Sequence, residues 1–390
     1  MKYWRGYLAA AIFAAITWGF VSFAKTHPVM IDTVYPYLTR IYISSMADWS
    51  GGSAACIWQV LLVLGIVAVL ATAVLMVVLK WNPVQWLGWV LAFAFGVNML
   101  TTVSYGLNAY ASPLADDIRL DISDYTVSEL NEATLFFRDQ AKALSTTLER
   151  DEKGNIKISS FEDLAAVAHK GFDALTYDKA ISVFASSSAP VKKLSAPGLF
   201  LSKGDSGMTV ALTGEAAVNP KVPAACLPFA MCKELSHRIS IYTEADGNFA
   251  GFLACLNHPD DVFRYSGYLM AYYYCYEAIL SIPTSTAQAC AANTRKNLTE
   301  EMRQDLDAVF DFYGEAESSA NVQATANITA SDSEVTLISF SSYSDVADLF
   351  ASWYIQEYIL PVYQQEHPVD EFDPYDEDKV FAPVPEETTP

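Results

Sequence analysis

The run AACIWQVLLVLGIVAVLATAVLMVVL, Ala54 to Leu79, carries no charged side chain. As a helix rising 1.5 Å per residue it reaches about 39 Å, enough to cross the ~30 Å of hydrocarbon in a bilayer. Two further uncharged runs flank it, Gly6 to Ala24 and Val84 to about Tyr105. Inside lipid an open segment can satisfy its backbone N–H and C=O groups only as a helix. The sequence therefore predicts three membrane spans, at about 6–24, 54–79 and 84–105, with a loop over 25–53 between the first two. For the first span, Ser22-Phe23-Ala24 also has the small-residue look of a signal-peptide cleavage site, whereas the length of the run and Trp18 favour a retained anchor.

Charge divides the chain at the same place. Residues 1–110 hold five Lys/Arg and two Asp, and the other 280 residues hold 19 basic and 43 acidic side chains. A surface so acidic repels phosphate backbones, which excludes a nucleic-acid partner. Lys2 and Arg5 precede the first span, and Lys80 sits in the Lys80-Trp81-Asn82-Pro83 turn between the second and third. The positive-inside bias then places the loop 25–53 and everything after residue 110 outside the cytoplasm. Five of the six cysteines (Cys226, Cys232, Cys255, Cys275, Cys290) lie in that part, without a CxxC pair. One or two disulfides and buried free thiols both fit this spacing.

The soluble part reads as mainly helical. Thr126-Val127-Ser128-Glu129 is a capping box ahead of helically spaced Leu130, Ala133, Phe137 and Ala141. A second helix starts near Ser160, and Met208 to Leu212 suits a short strand. Helical patterns follow over 227–256, with an interruption near Ser240, then over about 262–282, 285–313 and 343–363. Residues 315–333 read as a connection, and from Glu366 onward the chain is an acidic, proline-rich tail. The tyrosines from Tyr265 to Tyr276 read as helix packing rather than a ligand wall.

The chemistry lies in Leu227-Pro228-Phe229-Ala230-Met231-Cys232-Lys233-Glu234-Leu235-Ser236-His237-Arg238. In a His-Glu-x-x-His zinc hydrolase, two imidazoles one helical turn apart reach one metal, and the Glu polarises its water. Here His237 and Glu234 stand at the second-ligand and general-base positions, with Lys233 at the first-ligand position. Taken alone, such a pentapeptide is usually ordinary helix surface.

Several ordered segments change that reading. Gly106-Leu107-Asn108-Ala109-Tyr110 with Pro113-Leu114, Thr213 to Asn219, Leu227-Pro228-Phe229, Glu244 to Phe249, Phe263-Arg264-Tyr265-Ser266-Gly267-Tyr268-Leu269, and Ser342-Tyr343 with Asp348-Leu349 fall in sequence order. Through them the chain resembles a family of bacterial multi-pass membrane proteins, domain-of-unknown-function family 3810, which looks like a zincin. The resemblance implies a mainly α protein: a membrane domain over 1–110, a gluzincin-type, mostly helical extracytoplasmic domain with little β over 111–365, and the tail 366–390. It implies His237 and Glu244 as metal ligands, Glu234 as general base and Asn248 as a partner behind the ligands. It places the protein in the bacterial cytoplasmic membrane. Departures from the family pattern are Lys233 for the first His, Ser240 for a Gly in the connecting turn, and the lack of an Asn-Asp-x-Tyr-Leu-Lys counterpart near 325–340.

An ammonium has no lone pair, and deprotonating a Lys of pKa ~10.4 at pH 7 costs about 4.6 kcal/mol. Two remaining ligands make a poor zinc site where three are usual. No other side chain is expected to replace the lost His: Cys232 is about 140° around the helix from His237, and His258, in Asn257-His258-Pro259, is expected to face solvent. The simplest expectation is that the Lys233 ammonium takes the metal's electrostatic place, paired with Glu234 or Glu244, and that no cofactor is bound. The reading is then a catalytically degenerate, membrane-anchored metallopeptidase relative that binds a polypeptide or cell-envelope component. Two alternatives are an active zinc peptidase with an unorthodox metal shell and a purely structural membrane protein.

Overall fold

The fold is that of a computed structural model, which describes residues 4–122, 124–175, 183–185, 187–313, 337–338 and 346–362. It is mainly helical. Three N-terminal helices are long and apolar enough to cross a membrane: α1 (Arg5–Thr26), α3 (Ile57–Val78) and α4 (Pro83–Ser104). These three helices suggest a membrane protein. Their packing gives the path of the chain. A Cβ on Gly6 would fall 2.4 Å from the Gly88 carbonyl carbon, and one on Gly96 would lie 3.4 Å from the Phe13 ring, so α1 and α4 run parallel in close contact. α3 returns antiparallel to α4 through a tight turn in which Asn82 caps α4 and Trp86 Nε1 donates to Thr72 Oγ1 at 3.1 Å. Arg5 and Lys80 therefore share one end of the bundle, and Thr26, Cys56 and Tyr105 share the other, where the folded domain sits.

The segment 25–53, expected to be a loop, is a correction. Most of it is α2, a 24-residue helix from Pro28 to Gly51. Pro28 at its first position suits a helix start. Ile31, Thr39, Ile43 and Ala47 recur on one face and are buried. That face joins the membrane helices to the domain: Tyr35 Oη donates to the Val103 carbonyl at 2.8 Å, and Arg40 Nε to the Ile239 carbonyl at 3.1 Å.

The domain carries α5 (Leu114–Ile118), α6 (Val127–Ser145), α7 (Phe161–Val167), α8 (Lys170–Asp173), α9 (Leu227–Arg238), α10 (Glu244–Leu256), α11 (Asp261–Ser281), α12 (Ser285–Thr294), α13 (Glu300–Tyr313) and α14 (Val346–Tyr354). Thr126 and Glu129 form both halves of the capping box at α6, and Ser160 caps α7. The helical stretch expected over 285–313 is two helices, broken by a 3-10 turn at Arg295–Asn297. The expected strand is β3 (Gly207–Val210). It pairs antiparallel with β4 (Glu215–Val218), which pairs in parallel with β2 (Lys192–Lys193). A separate two-residue pairing joins β1 (Tyr125–Thr126) to β5 (Leu337–Ile338). The expected connection at 315–333 and the acidic tail lie outside the described residues.

Phe137, Phe252, Phe350 and Trp353 pack together where α6, α10 and α14 meet. The tyrosines of α11 belong to this core rather than to a groove: Tyr265, Tyr272, Tyr273 and Tyr276 are buried. Tyr265 Oη donates to Asp305 at 2.6 Å, and Arg150 holds the same carboxylate through two nitrogens. Ser266 Oγ accepts the Phe229 N–H at the start of α9. His258 corrects another expectation. It is 2% exposed, stacks on Phe263 and bonds to the Val167 carbonyl at 3.0 Å. All six cysteines are free thiols.

Candidate functional site

α9 ends at Arg238 because Ser240, the C-terminal turn residue, takes φ +74°, a left-handed conformation that costs a side chain with a Cβ. Ser240 is held there by Thr39 of α2, whose Oγ1 lies 2.8 Å from Ser240 Oγ. The chain then turns, Thr243 caps α10 by accepting the Asp246 N–H, and Glu244 becomes the first residue of α10. This short return brings Glu244 back over α9.

Lys233 Nζ lies 2.6 Å from Glu244 Oε2, and His237 Nε2 lies 3.5 Å from Glu244 Oε1. One carboxylate thus spans Lys233 and His237. The His237 ring is oriented from behind: Nδ1 donates to the Ile241 carbonyl at 2.9 Å, and Tyr105 Oη, just past the end of α4, also donates to that carbonyl at 3.0 Å. With Nδ1 carrying its hydrogen, Nε2 points at Glu244, and the long 3.5 Å approach leaves it without a well-formed hydrogen bond. The ring lies directly on α10 at Gly247, where a Cβ would fall 2.7 Å from His237 Cε1.

Glu234 is buried on the β3 side of α9. Thr209 Oγ1 lies 3.0 Å from Glu234 Oε2 and 2.8 Å from the Glu234 carbonyl, which locks the glutamate against the strand. Burial pushes the Glu234 carboxyl up, against the partial opposition of His237 and Lys233. Burial works against the His237 imidazolium, but Glu244 and Glu234 outweigh it and raise the pKa. Desolvation tends to raise the Glu244 carboxyl as well, yet its contacts with His237 and Lys233 hold it well below the usual range. The Glu244 side chain is nevertheless 73% accessible to solvent.

The structure therefore brings Lys233, His237 and Glu244 into contact, with Glu234 beside them against β3. Asn248, one turn along α10 from Glu244, accepts from Tyr274 Oη at 3.3 Å, which directs it toward α11. Cys232 faces the Ala168 carbonyl, away from the site. Sequence reasoning missed Tyr105, Thr209 and Thr39. Each acts from a distant segment, and no local pattern marks it. The Lys233 ammonium donates to Glu244 and has no lone pair to offer a metal, so in this cluster only His237 and the two carboxylates could act as donors. Among the described residues, no group of three or more His, Cys, Asp or Glu side chains is arranged to hold a metal ion.

Residues 31–329 match the family described as "Protein of unknown function (DUF3810)". The chain belongs to the DUF3810 family. No curated protein and no solved structure matches it. Several of the DUF3810 segments singled out in the sequence are joints of the fold. Gly214, at φ +66°, presses the β3–β4 turn against α2, where a Cβ would fall 2.4 Å from the Ile43 carbonyl oxygen. The next residue, Glu215, accepts the first N–H groups of the apolar helix α3, from Ile57 at 2.7 Å and Trp58 at 2.8 Å.

Proposed function

We propose that this protein is a membrane-anchored relative of zinc metallopeptidases in which an ammonium has replaced the metal, and that it acts by binding rather than by hydrolysis. One observation carries the reading: Lys233 Nζ sits 2.6 Å from Glu244, with His237 on the other oxygen of the same carboxylate. His237, Glu244 and Glu234 keep the positions that a His-Glu-x-x-His enzyme uses, with Glu234 a vestigial general base. A helix bearing the motif, a second helix returning a glutamate to it and a strand alongside also suit a zincin-like domain. A dication approaching this cluster would meet a positive charge and two protein ligands where three are usual. The expected partner is a polypeptide or cell-envelope component, met on the face of the membrane opposite Arg5 and Lys80.

Metal analysis of the purified full chain and of a Lys233→His variant tests this reading. The natural chain is expected to carry substoichiometric zinc. The variant should gain it, because a second imidazole one turn from His237 completes a His2Glu set and removes the opposing charge. Tight stoichiometric zinc in the natural chain would refute the proposal. A variant without gain would show that the remaining ligands have drifted from metal-binding geometry. Restored zinc without restored cleavage is the expected result.

A further inference from the structure

We propose that the outward face of α2 is a membrane-docking surface, so that the helix lies in the headgroup region of the bilayer. α2 is apolar on two sides. Its buried face (Ile31, Thr39, Ile43, Ala47) packs on the protein. The opposite face runs through Met30, Val34, Tyr37, Leu38, Ile41 and Ser45, more than four turns without a charge. Met30, Leu38 and Ile41 are 55%, 54% and 49% exposed. The charged groups of α2 are engaged elsewhere: Asp32 accepts the Ser112 N–H, Arg40 donates to the Ile239 carbonyl, and Asp48, at the helix end, accepts from Ser187 Oγ.

Connectivity identifies the occupant. α2 starts one residue after α1 ends, and five residues, 52–56, separate it from α3. Both neighbours are candidate spans whose adjoining ends lie on the domain-bearing face. A 24-residue helix is about 36 Å long, and five residues with their flanking bonds reach roughly 20 Å. An upright α2 could not return the chain to the membrane in time for α3 to cross it. α2 must instead run along the surface, continuous at both ends with lipid-contacting helices, and its uncharged stripe is the side left for lipid. Interfacial helices bind in this way, with the apolar face sunk into the boundary between headgroups and acyl chains. The inference is independent of whether zinc binds.

Spin labels placed at Leu38→Cys and Ile41→Cys test it, in a full chain carrying Cys290→Ser, because the other native thiols are buried. The protein is reconstituted into vesicles of phosphatidylethanolamine and phosphatidylglycerol, and a label at Lys296→Cys serves as the solvent reference. Labels at 38 and 41 should collide with oxygen severalfold more often than with a water-soluble nickel chelate, with the ratio reversed at 296. Ready access of the chelate to 38 and 41 would overturn the proposal. Shielding from both reagents, or spin–spin broadening between copies, would overturn it in favour of a protein neighbour.

Discussion

Two lysine–glutamate pairs in this molecule have the same 2.6 Å separation and differ in nearly everything else. Lys192 and Glu215 are both buried, and their hydrogen-bonding capacity is used. The ammonium also donates to the Ser50 and Ala55 carbonyls, and the carboxylate accepts two backbone N–H groups at the start of α3. The pair joins the end of α2, the sheet and an apolar span at one point. Lys233 is itself buried, but its partner Glu244 is mostly in water, and a histidine shares the carboxylate. An ion pair alone therefore says little about role. The groups around it decide: a closed, satisfied pair is a joint, and an open pair beside a half-bonded imidazole is a place where another group could bind.

Breaking each pair should separate the two roles. Lys192→Met leaves the Glu215 charge buried without its cation, and such losses typically cost about 3–5 kcal/mol. The full-length protein should lose detergent-extractable folded material and show a strongly lowered unfolding midpoint. Lys233→Met leaves Glu244 hydrated and still beside His237, so no carboxylate is stranded in the core and the cost should be clearly smaller than that of Lys192→Met. Equal losses for the two variants would mean that the second pair is also a structural joint, and the distinction would fail.

Much of this was legible in the sequence, and the unread parts share a cause. The caps at Thr126 and Ser160 and the turn between α9 and α10 are local signals, carried by residues within four positions of one another. A helix, a short turn and another helix place Glu234 and Glu244 both within reach of Lys233, and the structure selects Glu244. Asp32, Pro36, Arg40 and Asp48 interrupt the apolar run of α2 and hide the helix from a local pattern, and the partners of its charged groups lie as far away as Ile239. The strands β2 and β4 are too short to show an alternation. The turn-like neighbours of His258 suggest solvent, whereas Phe263 and the Val167 carbonyl, the latter 91 positions back, bury it. What depends on long-range pairing leaves little trace in a local pattern.

The open pair depends on how firmly His237 is placed, and Gly247 tests this. A methyl group there would fall 2.7 Å from His237 Cε1 and 3.0 Å from Nε2. Overpacking of this kind typically costs about 1–3 kcal/mol. Gly247→Ala should therefore destabilise the protein. Combined with Lys233→His, it should also abolish any gain in zinc by tilting the ring away from Glu244. An unchanged unfolding midpoint together with retained zinc gain would show that the ring has room to move.

The smallest effect concerns His258, a buried titratable group distant from both pairs. Its bonds define one neutral tautomer: Nε2 donates to the Val167 carbonyl at 3.0 Å, and Nδ1 accepts the Asp260 N–H at 3.1 Å. A second proton on Nδ1 would displace the Asp260 N–H and place a charge in the core. Burial accordingly lowers the pKa below its ordinary 6.5, in spite of the favourable Val167 and Asp260 contacts. Below pH 6.5 the unfolded chain binds more protons at this site than the folded one. Stability must then fall as the pH drops from 6.5 toward the folded-state value, and above 6.5 the group contributes no slope. Unfolding midpoints measured at pH 7.5 and 5.5 should differ more in the natural chain than in His258→Gln, which cannot take up the proton. Equal pH dependence in the two proteins would mean that His258 does not carry the acid sensitivity, and the account of it as a buried, neutral imidazole would fail.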